Sequence, residues 1–184
     1  AQGSLVSIAG TDLAADFAQA DSVPLSTSLA NVSVTFNNIP APVQFVSGTQ
    51  INAQVPWNTL PAGALSGTVD VVVTRNGVAS APRQVAIGPF SPGIYAMNNL
   101  AMAFNPDGSL AQPAGALFGI AGPILGIKSH PAKQGDSIII LGTGLGALDS
   151  EIQNGANSLD KPRKVVTAPV VLINGATATD VIAG

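Results

Sequence analysis

Hydrophobic and polar residues alternate strictly at several places along the chain. In "NVSVTF", Val32, Val34 and Phe36 fall on one side and Asn31, Ser33 and Thr35 on the other. "QINAQV" sets Ile51, Ala53 and Val55 against Gln50, Asn52 and Gln54, and "TVDVVVT" sets Val69, Val71 and Val73 against Thr68, Asp70 and Thr74. A period of two is that of a strand with one buried and one wet face. Three strands are expected here, with the apolar sets turned inward. Asn76-Gly77 follows the third, and this pair suits a type I′ turn, which needs positive φ at both positions. Asn37-Asn38, Ser47-Gly48 and Asn174-Gly175 read as similar turns, and Asp107-Gly108 in "NPDGSL" as a hairpin tip. One or two helical turns around Asp12 to Ala20 are the only helix expected in the first half. Short strands at regular spacing, separated by turn residues, predict an all-β fold of the sandwich type.

The pattern also repeats. "GSLVSIAGTDLA" from Gly3 lines up with "GDSIIILGTGLG" from Gly135, and "VTFNNIPAPVQFVS" from Val34 resembles "VLINGATATDVIAG" from Val171. Two related units are therefore expected. The first spans residues 1–95, a connecting segment with a hairpin spans 96–130, and a partial second unit spans 131–184. The repeat bears on the glycine-rich run Gly142-Thr143-Gly144-Leu145-Gly146. Its first copy carries Asp12 where the second carries Gly144, and an acidic side chain repels phosphate. No helix-forming stretch follows to receive a pyrophosphate. The run reads as a strand-ending turn.

Composition sharpens this picture. Hydrophobic residues make up 46% of the 184 residues and charged residues only 9%, with 20 Gly and 14 Pro. Polarity comes from Ser, Thr, Asn and Gln. The sole glutamate, Glu151, leaves no long Glu/Lys-rich helix. The net charge is −3 and the seven basic residues are scattered, so no clustered basic face is present to displace counterions from nucleic acid. There is no cysteine, which excludes disulfides and thiolate chemistry. The uncharged stretch 108–127 is interrupted by five Gly and two Pro. Its apolar part is too short to span a bilayer, so membrane insertion is not expected and a partly buried connection is. The start at Ala1, with no Met, is what a chain shorn of a signal peptide or cut from a longer one presents.

The blocks "INAQVP", "VVVTRNGVASAP", "SPGIYA", "NPDGSL", "SHPAKQGDSIIILGTGLG" and "PVVLINGATATDVIAG" resemble, over nearly the whole chain, an uncharacterised C-terminal domain family of large secreted acidobacterial proteins. The repeated units are similar to IPT/TIG-type immunoglobulin-like domains. The resemblance implies tandem immunoglobulin-like β-sandwich units, the second incomplete, acting as spacers or adhesive modules. It carries no catalytic residues and no cofactor. Relative to the first unit, the second stops roughly 40 residues early, before the counterparts of "TQINAQVP" and "VDVVVTRNG". Three expectations follow: the chain is a fragment, another chain supplies those strands, or residues 96–130 cover the gap.

Candidate chemistry is sparse. His130 in "SHPAK" is the only histidine. Its neighbour Ser129 is badly placed as a nucleophile, and a triad needs a base in reach of one and a carboxylate behind it. Asp149, Glu151 and Asn154, with Asp160 beyond, offer oxygen ligands before a glycine, but without the full calcium-loop pattern. Trp57 in "VPWNTLPAG" either stacks on a sugar ring as a loop aromatic or plugs the end of the sandwich, and the plug is favoured because large aromatics are mostly buried. Phe90 and Tyr95 are expected to pack at a bend between units. The resulting expectation is a non-enzymatic structural or adhesive module of a secreted or cell-surface protein. Its partners would be other domains of that protein or another chain. The alternative is a carbohydrate- or ligand-binding module that uses Trp57, with calcium at the Asp149/Glu151 loop.

Overall fold

A computed structural model of the chain describes residues 1–97, 99–115 and 128–184. It is all-β, with no helix among the described residues. The first half contains β1 (Leu5–Ala9), β2 (Ala18–Gln19), β3 (Ser28–Leu29), β4 (Val32–Phe36), β5 (Ile39–Pro40), β6 (Val43–Val46), β7 (Gln50–Gln54), β8 (Gly67–Arg75), β9 (Val78–Ala79) and β10 (Arg83–Ile87). Short strands follow: β11 (Gly93–Ile94), β12 (Ala96–Met97), β13 (Leu100–Ala101), β14 (Ala103–Phe104), β15 (Ile139–Ile140), β16 (Gly142–Thr143), β17 (Leu172–Ile173) and β18 (Ala176–Thr177).

Two antiparallel sheets make the sandwich. One runs β1-β7-β6-β2. The other runs β10-β8-β4-β3, with β5 on β4 and β9 on β8. The alternation in the sequence is what closes them. Val32, Val34 and Phe36 are buried while Ser33 and Thr35 between them are not, and Ile51, Ala53 and Val55 are buried from the facing sheet. Val69 and Val71 join this core and Val73 packs at its margin. Burying such side chains contributes roughly 1.5–3 kcal/mol each. The turns follow their residue types: Asn37, Asn38, Asn76 and Gly77 all have positive φ, and Asn is the non-glycine residue that tolerates this region best.

Residues 12–20 are not helical. Asp12 lies at φ 54°, Ala18 and Gln19 pair with Val46 and Phe45, and the Phe17 ring meets Phe45 edge-on at 5.4 Å. Pairing to β6 satisfies the backbone that a helix would have satisfied internally. After Gly142 no helix opens either: Gly142 and Thr143 pair with Ile94 and Gly93.

By contact, the chain divides into residues 1–91 with 144–184, and residues 92–143. The boundaries expected from the sequence fall at 95/96 and 130/131. Residues 144–184 lie with the first sandwich because Gly155 is stitched to it: its N–H donates to Gln54 Oε1 at 2.7 Å, and its carbonyl accepts from Leu25 N at 2.9 Å. At φ 79°, with a Cβ's place 2.8 Å from the Leu25 carbonyl, this position excludes a side chain. Within residues 92–143, β14 pairs with β15 and the Asp107-Gly108 turn closes an antiparallel bridge between Phe104 and Leu110. Of the stretch 108–127, expected as a partly buried connection, residues 116–127 lie outside the described residues.

One hairpin occurs twice. β5 returns on β4 with Thr35 opposite Pro40 and Phe36 opposite Ile39, and Ala41 N donates to Val34 O at 2.8 Å. β18 returns on β17 with Leu172 opposite Thr177 and Ile173 opposite Ala176, and Ala178 N donates to Val171 O at 2.9 Å. Asn174 and Gly175 take the same positive φ as Asn37 and Asn38. Gly144, too, takes the positive φ of Asp12.

Candidate functional site

Trp57 follows β7 through Val55 and the buried Pro56. The distal edge of its half-buried ring lies against the α-carbon of Gly3. Its backbone N–H donates to Asn154 Oδ1 at 2.8 Å, and Asn154 Nδ2 donates to Asn58 Oδ1 at 3.1 Å. The indole Nε1 is buried and has no hydrogen-bond partner. The ring is thus packed on Gly3 at its far edge, and the Asn154 and Asn58 amides are tied to its backbone.

The carboxylates nearby serve Arg163 and the backbone. Asp160 binds the Arg163 guanidinium through both oxygens, at 2.7 and 2.9 Å. That hydrogen-bonded guanidinium holds the Asp160 carboxyl down to about 2. The Arg163 side chain is only 5% exposed, and its Nε donates to the Glu151 carbonyl at 3.0 Å. Asp149 Oδ1 accepts from Lys164 N at 3.1 Å. Asn154, the third oxygen ligand suggested by the sequence, has its Oδ1 on the Trp57 N–H. Among the described residues no three His, Asp or Glu side chains converge as a metal site would require.

His130 belongs to residues 92–143, where sequence reasoning missed its surroundings. Its Nε2 lies 3.3 Å from Asp107 Oδ2 and its Nδ1 3.3 Å from the Pro131 carbonyl. Two acceptors facing two ring nitrogens favour the imidazolium, which donates from both. The pKa of His130 is accordingly raised, first by the Pro131 carbonyl and then by Asp107. Asp107 in turn is lowered to about 2, chiefly by the Ser109 hydroxyl and N–H and then by His130. Ser109 Oγ donates to Asp107 Oδ1 at 2.6 Å and accepts from the buried Asn105 Nδ2 at 3.0 Å. A nucleophilic serine would hand its proton to the histidine; this one gives it to the carboxylate. Ser129 donates to the Pro113 carbonyl at 3.0 Å and is likewise no partner of His130. The signal that could have revealed the cluster is the Asn-Pro-Asp-Gly-Ser turn itself, since Asp side chains commonly accept from the backbone two residues on.

Arg75, at the end of β8, donates from Nη1 to the Asp12 carbonyl at 2.9 Å, beneath a shallow groove bordered by Leu13, Val78 and Ser80. Asp12 brings one carboxylate to this groove, with no histidine or second carboxylate among the residues that line it.

Residues 1–87 match the family described as IPT/TIG domain. The match ends with the last residue of β10, so it takes in both sheets, and this part of the chain is an immunoglobulin-like unit. IPT/TIG domains are generally non-enzymatic structural or interaction modules and occur in extracellular or cell-surface proteins. No curated protein and no solved structure matches the chain. No helix among the described residues is long and apolar enough to cross a membrane.

Proposed function

We propose that the chain is a structural module of a secreted or cell-surface protein, which spaces and presents neighbouring domains and contacts another polypeptide. One observation carries this reading. The polar groups best suited to chemistry form two hydrogen-bonded groups, Asp107 with Ser109 and His130 and Asp160 with Arg163, and in each the side chains are engaged in short-range structural hydrogen bonds. A competent catalytic site needs a nucleophile, a base and an empty position between them. In this reading residues 131–184 begin a second unit of the same kind, which the recurring hairpin supports.

A second reading, polysaccharide contact at Trp57, draws on the part-exposed indole beside the Asn58 and Asn154 amides, a pairing suited to a sugar face and its hydroxyls. A glycan and polysaccharide screen, run with and without calcium on the chain and on Trp57→Ala, separates the two. The structural reading expects no retained glycan in either condition. Specific binding lost in Trp57→Ala would replace it with a recognition module.

A further inference from the structure

Two of the chain's three Asn-Gly pairs, Asn76-Gly77 and Asn154-Gly155, are placed by the first sandwich. An Asn-Gly pair can react with itself. The backbone nitrogen of the glycine lies next in the chain to the asparagine, and no glycine side chain hinders its approach to the asparagine amide carbon. The two pairs share this chemistry and differ in what holds the reacting atoms.

Asn76 and Gly77 form the tip of the β8–β9 hairpin, with Arg75 opposite Val78. Both residues are exposed. A Cβ built on Gly77 would meet nothing within 4 Å. The Asn76 N–H donates to the Asn31 carbonyl at 2.9 Å, which anchors the residue from behind. Among the described residues, neither the Gly77 N–H nor the Asn76 side-chain amide is hydrogen-bonded.

Asn154-Gly155 is the reverse case. Gly155 is buried, and a Cβ there would lie 2.8 Å from the Leu25 carbonyl and 3.2 Å from Pro42 Cβ. Its N–H, the attacking group, donates to Gln54 Oε1 at 2.7 Å. The amide under attack is held at both ends: Asn154 Oδ1 accepts from Trp57 N at 2.8 Å, and Nδ2 donates to Asn58 Oδ1 at 3.1 Å.

The reaction needs only water and hydroxide. Hydroxide takes the glycine N–H proton, and the nitrogen bonds to the asparagine Cγ. The bond from Cγ to the side-chain nitrogen breaks, and that nitrogen takes up a proton and leaves as ammonia. Water then opens the succinimide ring at either carbonyl, giving aspartate or isoaspartate. Nothing is oxidised or reduced.

We propose that Asn76 is a site of spontaneous deamidation, while the hydrogen bonds from Gln54, Trp57 and Asn58 keep Asn154 an amide. Aspartate at residue 76 adds a carboxylate beside Arg75, in the groove that both residues line. Isoaspartate adds a methylene to the backbone of a turn whose two-residue length sets the pairing of Arg75 with Val78. Either product alters this groove with the age of the molecule. The inference goes beyond the structural reading and does not depend on it.

The test holds the whole chain in mildly alkaline buffer and follows each asparagine by peptide mass spectrometry, through the mass gain of amide-to-acid exchange. Asn76 is expected to convert roughly tenfold faster than Asn154 or more, because reaction at Asn154 must first break its hydrogen bonds. In urea the two rates should converge. Gln54→Leu, which leaves the Gly155 N–H without its acceptor, should speed Asn154 and leave Asn76 as it was. Gln54→Glu, which keeps an oxygen there, should keep Asn154 protected. Equal rates in the folded chain, or no conversion at Asn76, overturn the proposal. A difference that persists unchanged in urea also overturns it, since local sequence would then be the cause. The urea comparison uses the natural sequence, so it decides even if Gln54→Leu does not fold.

Discussion

Gly3 meets the far edge of the Trp57 ring at φ 77°, so a methyl group there has neither room nor a relaxed backbone. Gly3→Ala is expected to destabilise the sandwich by about 1–3 kcal/mol, the usual cost of overpacking, read from urea unfolding; an unchanged midpoint would show that Trp57 is not seated as described. The Asp107–His130 pair makes a prediction about protons. Asp107 is lowered from 3.8 to about 2 and His130 is raised from 6.5. A lowered carboxyl contributes stability that is present above its unfolded value and lost as pH falls toward 2. A raised imidazole contributes stability that is present below 6.5 and lost as pH rises through its folded value. The pair is therefore strongest between about pH 4 and 6.5. Both groups are well exposed, so salt should weaken the tie. An NMR titration of His130 should give a pKa above 6.5 that falls in Asp107→Asn; an unmoved value would leave the Pro131 carbonyl and the Asp136 charge as the causes.

At the scale of elements, burial rather than composition separates the strands. Ile51 of β7 is fully buried and Leu172 of β17 is 61% exposed, although each lies in a short run of similar β propensity. Ile51→Ala should cost about 2–5 kcal/mol, the range for a large core residue cut to alanine. Leu172→Ala should stay within about 0.5 kcal/mol, as exposed substitutions do. Paired chemical denaturation curves check this, and a large loss at Leu172 would mean the β17 edge is covered within the chain itself. The same contrast explains which strands were legible. Alternation located β4, β7 and β8 and their inward residues, because a period of two records which face meets the core. It could not place β2, where Ala18 and Gln19 pair with β6, because two residues are too few to show a period, and residues 12–20 read as a helical turn instead.

For the molecule as a whole, the sequence by itself determined the all-β class, the inward sets of the main strands and the turns at Asn37-Asn38, Asn76-Gly77 and Asn174-Gly175. These are local properties: side-chain period and tolerance of positive φ act within a few residues. It also determined the scarcity of chemistry, since one histidine and no cysteine leave few catalytic arrangements. Only the tertiary structure decided that Gly155 and Asn154 attach to Leu25, Gln54 and Trp57, that Arg163 is buried against Asp160, and that His130 faces Asp107 rather than Ser129. Each joins groups by the path of the backbone, and neither period nor composition encodes which residues that path brings within hydrogen-bond range. The repeated hairpin belongs to both levels. Its likeness can be read in the sequence, but that β4 has β8 beside it, while β17 pairs with β18 alone among the described residues, is a fact of topology.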